Sequence, residues 1–185
     1  MVDASAEAPG DDNVDTDVLV VGGGPAGAAA AIRLHRSGLE VTLVDKAAFP
    51  RDKICGDGLT TGALRLLEDL GLQPDAVASW QVVDDVVVRS PSGREVTFPL
   101  PRDAGTYAAV ARRTDLDAAL LDVARRAGVK VLDGHACTAV TEHADTVVAE
   151  IAGLGSVSAR WLVAADGMWS PVRKFLGLAE PGYRG

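Results

Sequence analysis

Gly22, Gly24 and Gly27 stand at G-x-G-x-x-G spacing within Gly22-Gly23-Gly24-Pro25-Ala26-Gly27. The chemistry such a turn can do is to hold a pyrophosphate. Gly22 permits the tight turn, Gly24 lets backbone amides approach the phosphates, and Gly27 lets the following helix pack closely on the strand. The helix N-terminus adds unpaired N–H groups and a partial positive charge. Glycine turns are common, so their context decides the reading. Here the apolar run Val18-Leu19-Val20-Val21 precedes the turn, and the helix-forming stretch Ala26 to Ser37 follows, with Gly38 at its stop. Asp45 ends the next strand 23 residues after Gly22, placed to accept hydrogen bonds from a ribose diol with an unphosphorylated 2′ position. The plainer alternative, an ordinary strand-to-helix turn with a solvated Asp45, leaves this combination unexplained. The turn reads as a dinucleotide site.

A second group with chemical potential is Asp166-Gly167-Met168-Trp169-Ser170-Pro171-Val172-Arg173, directly after the strand-like Leu162-Val163-Ala164. It puts an acid at the carboxyl end of a strand, where open α/β sheets bind ligands. A purely structural reading, with Ser170 as N-cap and Pro171 at the first helical position, accounts for those two residues but less well for Asp166 and Arg173. Cys55 and Cys137 are too few for a disulfide scaffold. With His35, His135 and His143 they give no zinc-ligand spacing. The histidines are assigned no function.

With Asp45 and the later D-G-x-x-S-x-x-R, the glycine motif resembles the FAD-binding fold of the p-hydroxybenzoate hydroxylase type. Phe49-Pro50-Arg51-Asp52-Lys53-Ile54-Cys55-Gly56-Asp57-Gly58-Leu59 is similar to a loop of geranylgeranyl reductase-like proteins, among them menaquinone isoprenyl reductases. The resemblance spans about residues 17–180. It implies FAD as cofactor, with Gly22, Gly24, Pro25, Ala26 and Gly27 around the pyrophosphate and Asp45 and Lys46 at the adenosine ribose. It further implies that Gly56, Asp57 and Leu59 line the flavin side by backbone contacts, and that Arg113 lies near the FAD phosphates. Cys137 would bring its backbone to the adenine, and Asp166 and Gly167 would lie near the diphosphate and ribose. For Arg113, a solvated charge ahead of a helix is an equal alternative, and Cys137 also suits a small core position. The cysteine matching Cys55 lies near the flavin in that family. A thiol flanked by Arg51 and Lys53 can act as acid or nucleophile, although a glycine-rich loop also simply needs a small residue.

The elements that must position these residues are legible in outline. Val41-Thr42-Leu43-Val44 completes a βαβ unit with a right-handed crossover. A Gly/Pro-rich loop covers 47–61, and a short helix 62–70 stops at Gly71. Val82 to Arg89 and Arg94 to Leu100, joined by Ser90-Pro91-Ser92-Gly93, read as a β-hairpin. Thr114-Asp115-Leu116-Asp117 has capping-box spacing with Asp in place of Glu. Leu116, Ala119, Leu120, Val123, Ala124 and Ala127 then make one helical face closed by Gly128. A parallel strand is expected at 129–132 and short strands over 137–163. The expected fold is α/β, a Rossmann-like FAD-binding domain with an inserted, incomplete antiparallel β substrate domain. The expected bounds are a disordered acidic tail at 1–16, FAD-binding parts at 17–78 and 107–185, and the start of the β domain at 79–106.

Charge narrows the partners. The net charge is −8, and residues 1–17 hold six acids and no base, so the remainder carries −8 + 6 = −2. No basic patch is present to attract nucleic acid. The uncharged run Val18 to Ile32 is shorter than the roughly 20 residues a bilayer span needs, and glycines interrupt it. With no secretory signal pattern, a cytoplasmic location is expected, with room for peripheral membrane contact. Three functions remain in view. The first is a reductase of isoprenoid C=C bonds in a lipid or quinone side chain, taking electrons from NAD(P)H or another donor and a hydrophobic substrate. The second is an FAD-dependent monooxygenase. The third follows from the chain stopping at Gly185, where the resembling family continues: a nucleotide-binding module without independent catalysis.

Overall fold

A computed structural model describes residues 15–101 and 105–178 of the chain. The tail expected at 1–16 therefore lies outside the described residues up to position 14. Its last two positions are ordered: Asp15 is hydrogen-bonded to Ser158, and Thr16 opens the first strand.

In chain order the elements begin with β1 (Thr16–Val21), α1 (Pro25–Arg36) and β2 (Val41–Asp45). Next come β3 (Gly58–Thr60), α2 (Thr61–Asp69), β4 (Gln81–Val82), β5 (Asp85–Arg89), β6 (Glu95–Pro99) and β7 (Ala108–Val110). The chain continues through α3 (Arg113–Ala127), β8 (Lys130–Asp133), β9 (Cys137–Glu142), β10 (Val147–Ile151), β11 (Gly155–Ala164) and α4 (Pro171–Phe175). Contacts gather these into two compact units, one of residues 1–49 and 120–185, the other of 50–119. The second unit is wider than the hairpin segment 79–106, because β3 and α2 contact β7.

The first unit is built on a six-stranded sheet of order β8-β2-β1-β11-β10-β9. The strands β8, β2, β1 and β11 are mutually parallel, while β10 runs antiparallel to both β11 and the edge strand β9. The continuous apolar runs of β1 and β2 suit strands covered on both faces, and every residue of β2 is buried. Leu19, Val44, Ala149, Ile151 and Val172 pack into one core cluster. Burying each of the Leu, Val and Ile side chains contributes about 1.5–3 kcal/mol. Along α1, Ala28, Ala31 and Ile32 are buried, and the helix rests on β1 and β2. Small residues on that face let it lie close.

In the second unit β3, β7 and β4 form a three-stranded sheet and β5 and β6 a separate hairpin. The loop read over 47–61 thus hides a short strand: Leu59 pairs with Ala109, and the Asp57 carbonyl accepts the Ala111 amide at 3.0 Å. The hairpin pairs Val86 with Phe98 and Val88 with Val96, putting four apolar side chains on one face. All four are exposed.

The capping box expected at Thr114–Asp117 is not formed. Helix α3 starts one residue earlier, and the Asp117 carboxylate is fully buried against two guanidinium groups instead of turning back to a backbone amide. A buried carboxylate gains more from charged donors than from one N–H.

Candidate nucleotide-binding cleft

The parallel strands β1, β2 and β8 end together, and a cleft opens at those ends. Val21 and Gly22 contribute from the end of β1, Asp45 and Lys46 from the end of β2, and Cys137 from the start of β9. Asp166, on the turn between β11 and α4, completes the wall. The cleft thus brings together five residues read from sequence: Gly22, Asp45, Lys46, Cys137 and Asp166.

The glycine turn owes its shape to close chain approach. Gly22 has φ +111°, and a Cβ there would overlap the Ala165 carbonyl. A Cβ at Gly27 would overlap the Gly22 carbonyl oxygen. Gly24 differs, since it is the N-cap of α1 in extended backbone, φ −72° and ψ −178°, which any residue adopts. Its lack of a side chain therefore serves access to the helix end. Pro25 follows at the first helical position, where it has no N–H to leave unpaired, and Ala26 and Gly27 continue the first turn. The N–H groups of that turn have no partner inside the helix.

Asp45 is 9% exposed and fully engaged by backbone: Oδ2 accepts the Gly23 amide at 2.6 Å and Oδ1 the Ala47 amide at 2.8 Å. Each oxygen retains a second acceptor site. It is therefore a latch on the turn as well as a candidate ribose acceptor. Lys46 beside it is exposed.

Asp166 divides its work between its oxygens. Oδ2 accepts the Val172 amide at 2.9 Å, holding the start of α4. Oδ1 is buried and has no hydrogen-bond partner among the described residues. Gly167 follows at φ +89°, the bend that turns the chain into the helix. Ser170 does cap α4, accepting the Arg173 amide, and Pro171 is its first residue. Burial and, after it, the nearby Asp166 charge push the Cys137 thiol pKa up, so this side chain stays neutral.

The remaining sequence-derived candidates lie in the second unit. Arg113 donates through Nε and an Nη to both oxygens of Asp117 at 2.8 Å, and Arg51 reaches the same carboxylate at 3.2 Å. The bond to Asp117 raises the Arg113 pKa above its ordinary value, and the neighbouring Cys55 adds to this. Arg113 is therefore not the solvated charge of the alternative reading. Cys55 is exposed, and a Cβ at Gly56 would meet nothing within 4 Å. Asp57 and Leu59 are tied to β7 as described.

Pro171 and Val172 of the second motif line the cleft, and so does His135, a histidine given no function from sequence. His135 follows the carboxyl end of β8, and its Nδ1 lies 2.9 Å from the Ala152 carbonyl. Its position after a parallel strand was the available signal. The pairing of Arg51 with Asp117 has no sequence period.

The residues present fit a dinucleotide such as FAD: a bare glycine turn, an acid at the neighbouring strand end, and a buried acceptor lacking a donor. Comparison with known proteins agrees. Residues 15–185 match the FAD binding domain family, and the chain belongs to it. It is 38% identical over 177 residues to a menaquinone reductase of Mycolicibacterium smegmatis, covering 89% of this chain and 41% of that protein. It is 29% identical to a rifampicin monooxygenase of Streptomyces venezuelae, covering 90% of this chain and 35% of that one. Among solved structures, a geranylgeranyl bacteriochlorophyll reductase-like protein of Thermoplasma acidophilum superposes with TM-score 0.74 at 27% identity, covering 88% of this chain and 42% of that one. The chain spans about two fifths of the length of such relatives. Among the described residues, no helix is long and apolar enough to cross a membrane.

Proposed function

We propose that the chain binds FAD in this cleft and serves a reductase acting on C=C bonds of an isoprenoid lipid or quinone side chain. The observation that favours a reductase is the 38% identity to a menaquinone reductase. When bound, FAD supplies hydride transfer. The chain's own residues do the binding. The first turn of α1 offers its amides to the diphosphate, while Asp45 accepts ribose hydroxyls and keeps the turn in shape. The buried Oδ1 of Asp166 takes a hydroxyl donor, removing the cost of an unpaired acceptor. Cys55, against Arg113, is the candidate acid that supplies a proton to the substrate. NAD(P)H or another donor provides the electrons, and the substrate is apolar, with peripheral membrane contact a route by which it arrives.

The resemblance to a rifampicin monooxygenase favours a second reading, hydroxylation or epoxidation. Both readings are tested by supplying FAD, NADPH and a menaquinone. Loss of an alkene under anaerobic conditions supports the reductase. Substrate-dependent oxygen consumption with no anaerobic turnover supports the monooxygenase.

A further inference from the structure

Gly23, in the middle of the turn, faces side chains from three directions. A Cβ placed on it would lie 3.2 Å from Phe49 Cζ, 3.3 Å from Asp45 Cβ and 3.3 Å from Leu121 Cδ1. All three are inside the roughly 3.5–4.0 Å at which carbon atoms rest against one another. The turn therefore already sits down on these groups, with the Phe49 ring tip among the nearest.

Phe49 is fixed in its turn. Its amide donates to Asp133 Oδ2 at 2.9 Å, and Asp133 Oδ1 accepts from Arg125 at 2.8 Å. Asp133 closes β8, in register with Asp45 at the end of β2. The ring and the Asp45 carboxylate thus both come up against the same glycine, the carboxylate by accepting its amide.

We propose that Phe49 is a positioning residue for the glycine turn. Its ring sets the height at which the first-turn amides of α1 face a diphosphate. This rests on the nucleotide reading above and goes beyond it, since Phe49 is not among the residues that line the cleft. The specific consequence is coupling between positions 23 and 49. A methyl group at position 23 lifts the turn off the ring, and a shorter side chain at position 49 lets it settle back.

The test uses the 185-residue chain and its variants Gly23→Ala, Phe49→Leu and Gly23→Ala/Phe49→Leu, each checked for folding by circular dichroism. FAD affinity is measured by flavin fluorescence, and ADP and adenosine by displacement of FAD or, where FAD does not bind, by direct calorimetry. Gly23→Ala is expected to weaken FAD and ADP together by about tenfold, and Phe49→Leu by a smaller factor. The double variant is expected to bind at least about threefold tighter than the product of the single effects requires. Adenosine, which has no phosphate to meet the turn, should change by less than about twofold. Strictly multiplicative effects, or an equal loss for adenosine, overturn the proposal. A folded wild-type chain that binds ADP but not FAD overturns the FAD reading while the coupling is still read with ADP. Binding of neither overturns both.

Discussion

The Asp45 carboxylate accepts the Gly23 amide at 2.6 Å, joining the end of β2 to the middle of the glycine turn. An acid placed there for a ribose is also a structural member of the turn that meets the phosphates. Asp45→Ala should therefore do two things at once. It leaves the buried Gly23 N–H and the part-buried Ala47 N–H without their acceptor, costing at least about 1–3 kcal/mol in a urea melt without ligand. It also weakens FAD in a fluorescence titration. Asp45→Asn keeps an acceptor for Gly23 and should recover most of the stability but less of the affinity. Equal recovery of both would remove the ribose role.

Gly24 and Gly27 should separate binding from folding. Gly27→Ala drives a Cβ into the Gly22 carbonyl and should destabilise the chain by more than about 3 kcal/mol. Gly24 occupies backbone open to any residue, so Gly24→Val should leave the thermal midpoint within a few degrees while abolishing FAD binding. A destabilised Gly24→Val chain would show that the position is structural.

Asp117 should be the acid whose removal costs the second unit most. Its carboxylate is buried between Arg51 and Arg113, and truncation removes the acid that both guanidinium groups face. Asp117→Ala is expected to lose about 3–5 kcal/mol by denaturant unfolding. Arg113→Lys cannot reproduce the two-pronged contact and should fall between that variant and wild type.

Cys137 should respond to pH and to occupancy of the cleft. Its thiol pKa is raised in the folded chain, so the contribution to stability is full below the unfolded value of about 8.5 and is lost as pH rises through the folded value. Melts from pH 8 to 10 should fall less steeply for Cys137→Ala than for wild type. In alkylation by iodoacetamide followed by mass spectrometry, exposed Cys55 should label first, and ADP should slow labelling of Cys137 alone.

Much of this was readable from residue order. The β1–turn–α1–β2 unit follows from period, glycine spacing and an acid at a fixed offset, all local signals. The hairpin turn at Ser90–Gly93 and the cap at Ser170 are local too. What escaped depends on partners far along the chain. Thr114 to Asp117 spells a cap, but Asp117 turns to Arg51, 66 positions earlier, as 117 − 51. His135 enters the cleft only because β8 lies beside β2. The seat of Phe49 under Gly23 requires helix, turn and strand ends to be assembled before it can be seen.

The register of β1 has a consequence in time. Its neighbours are β2, which follows closely, and β11, with Thr16 beside Ala159 and Val21 beside Ala164. During synthesis the glycine turn emerges early, but the Ala165 carbonyl that closes on Gly22 arrives only after some 140 further residues, counting 165 − 22. Bringing such distant segments together is slow relative to forming the local βαβ unit. The turn is thus among the first pieces made and among the last to be completed, and a nascent chain halted before β11 holds the motif without its far wall.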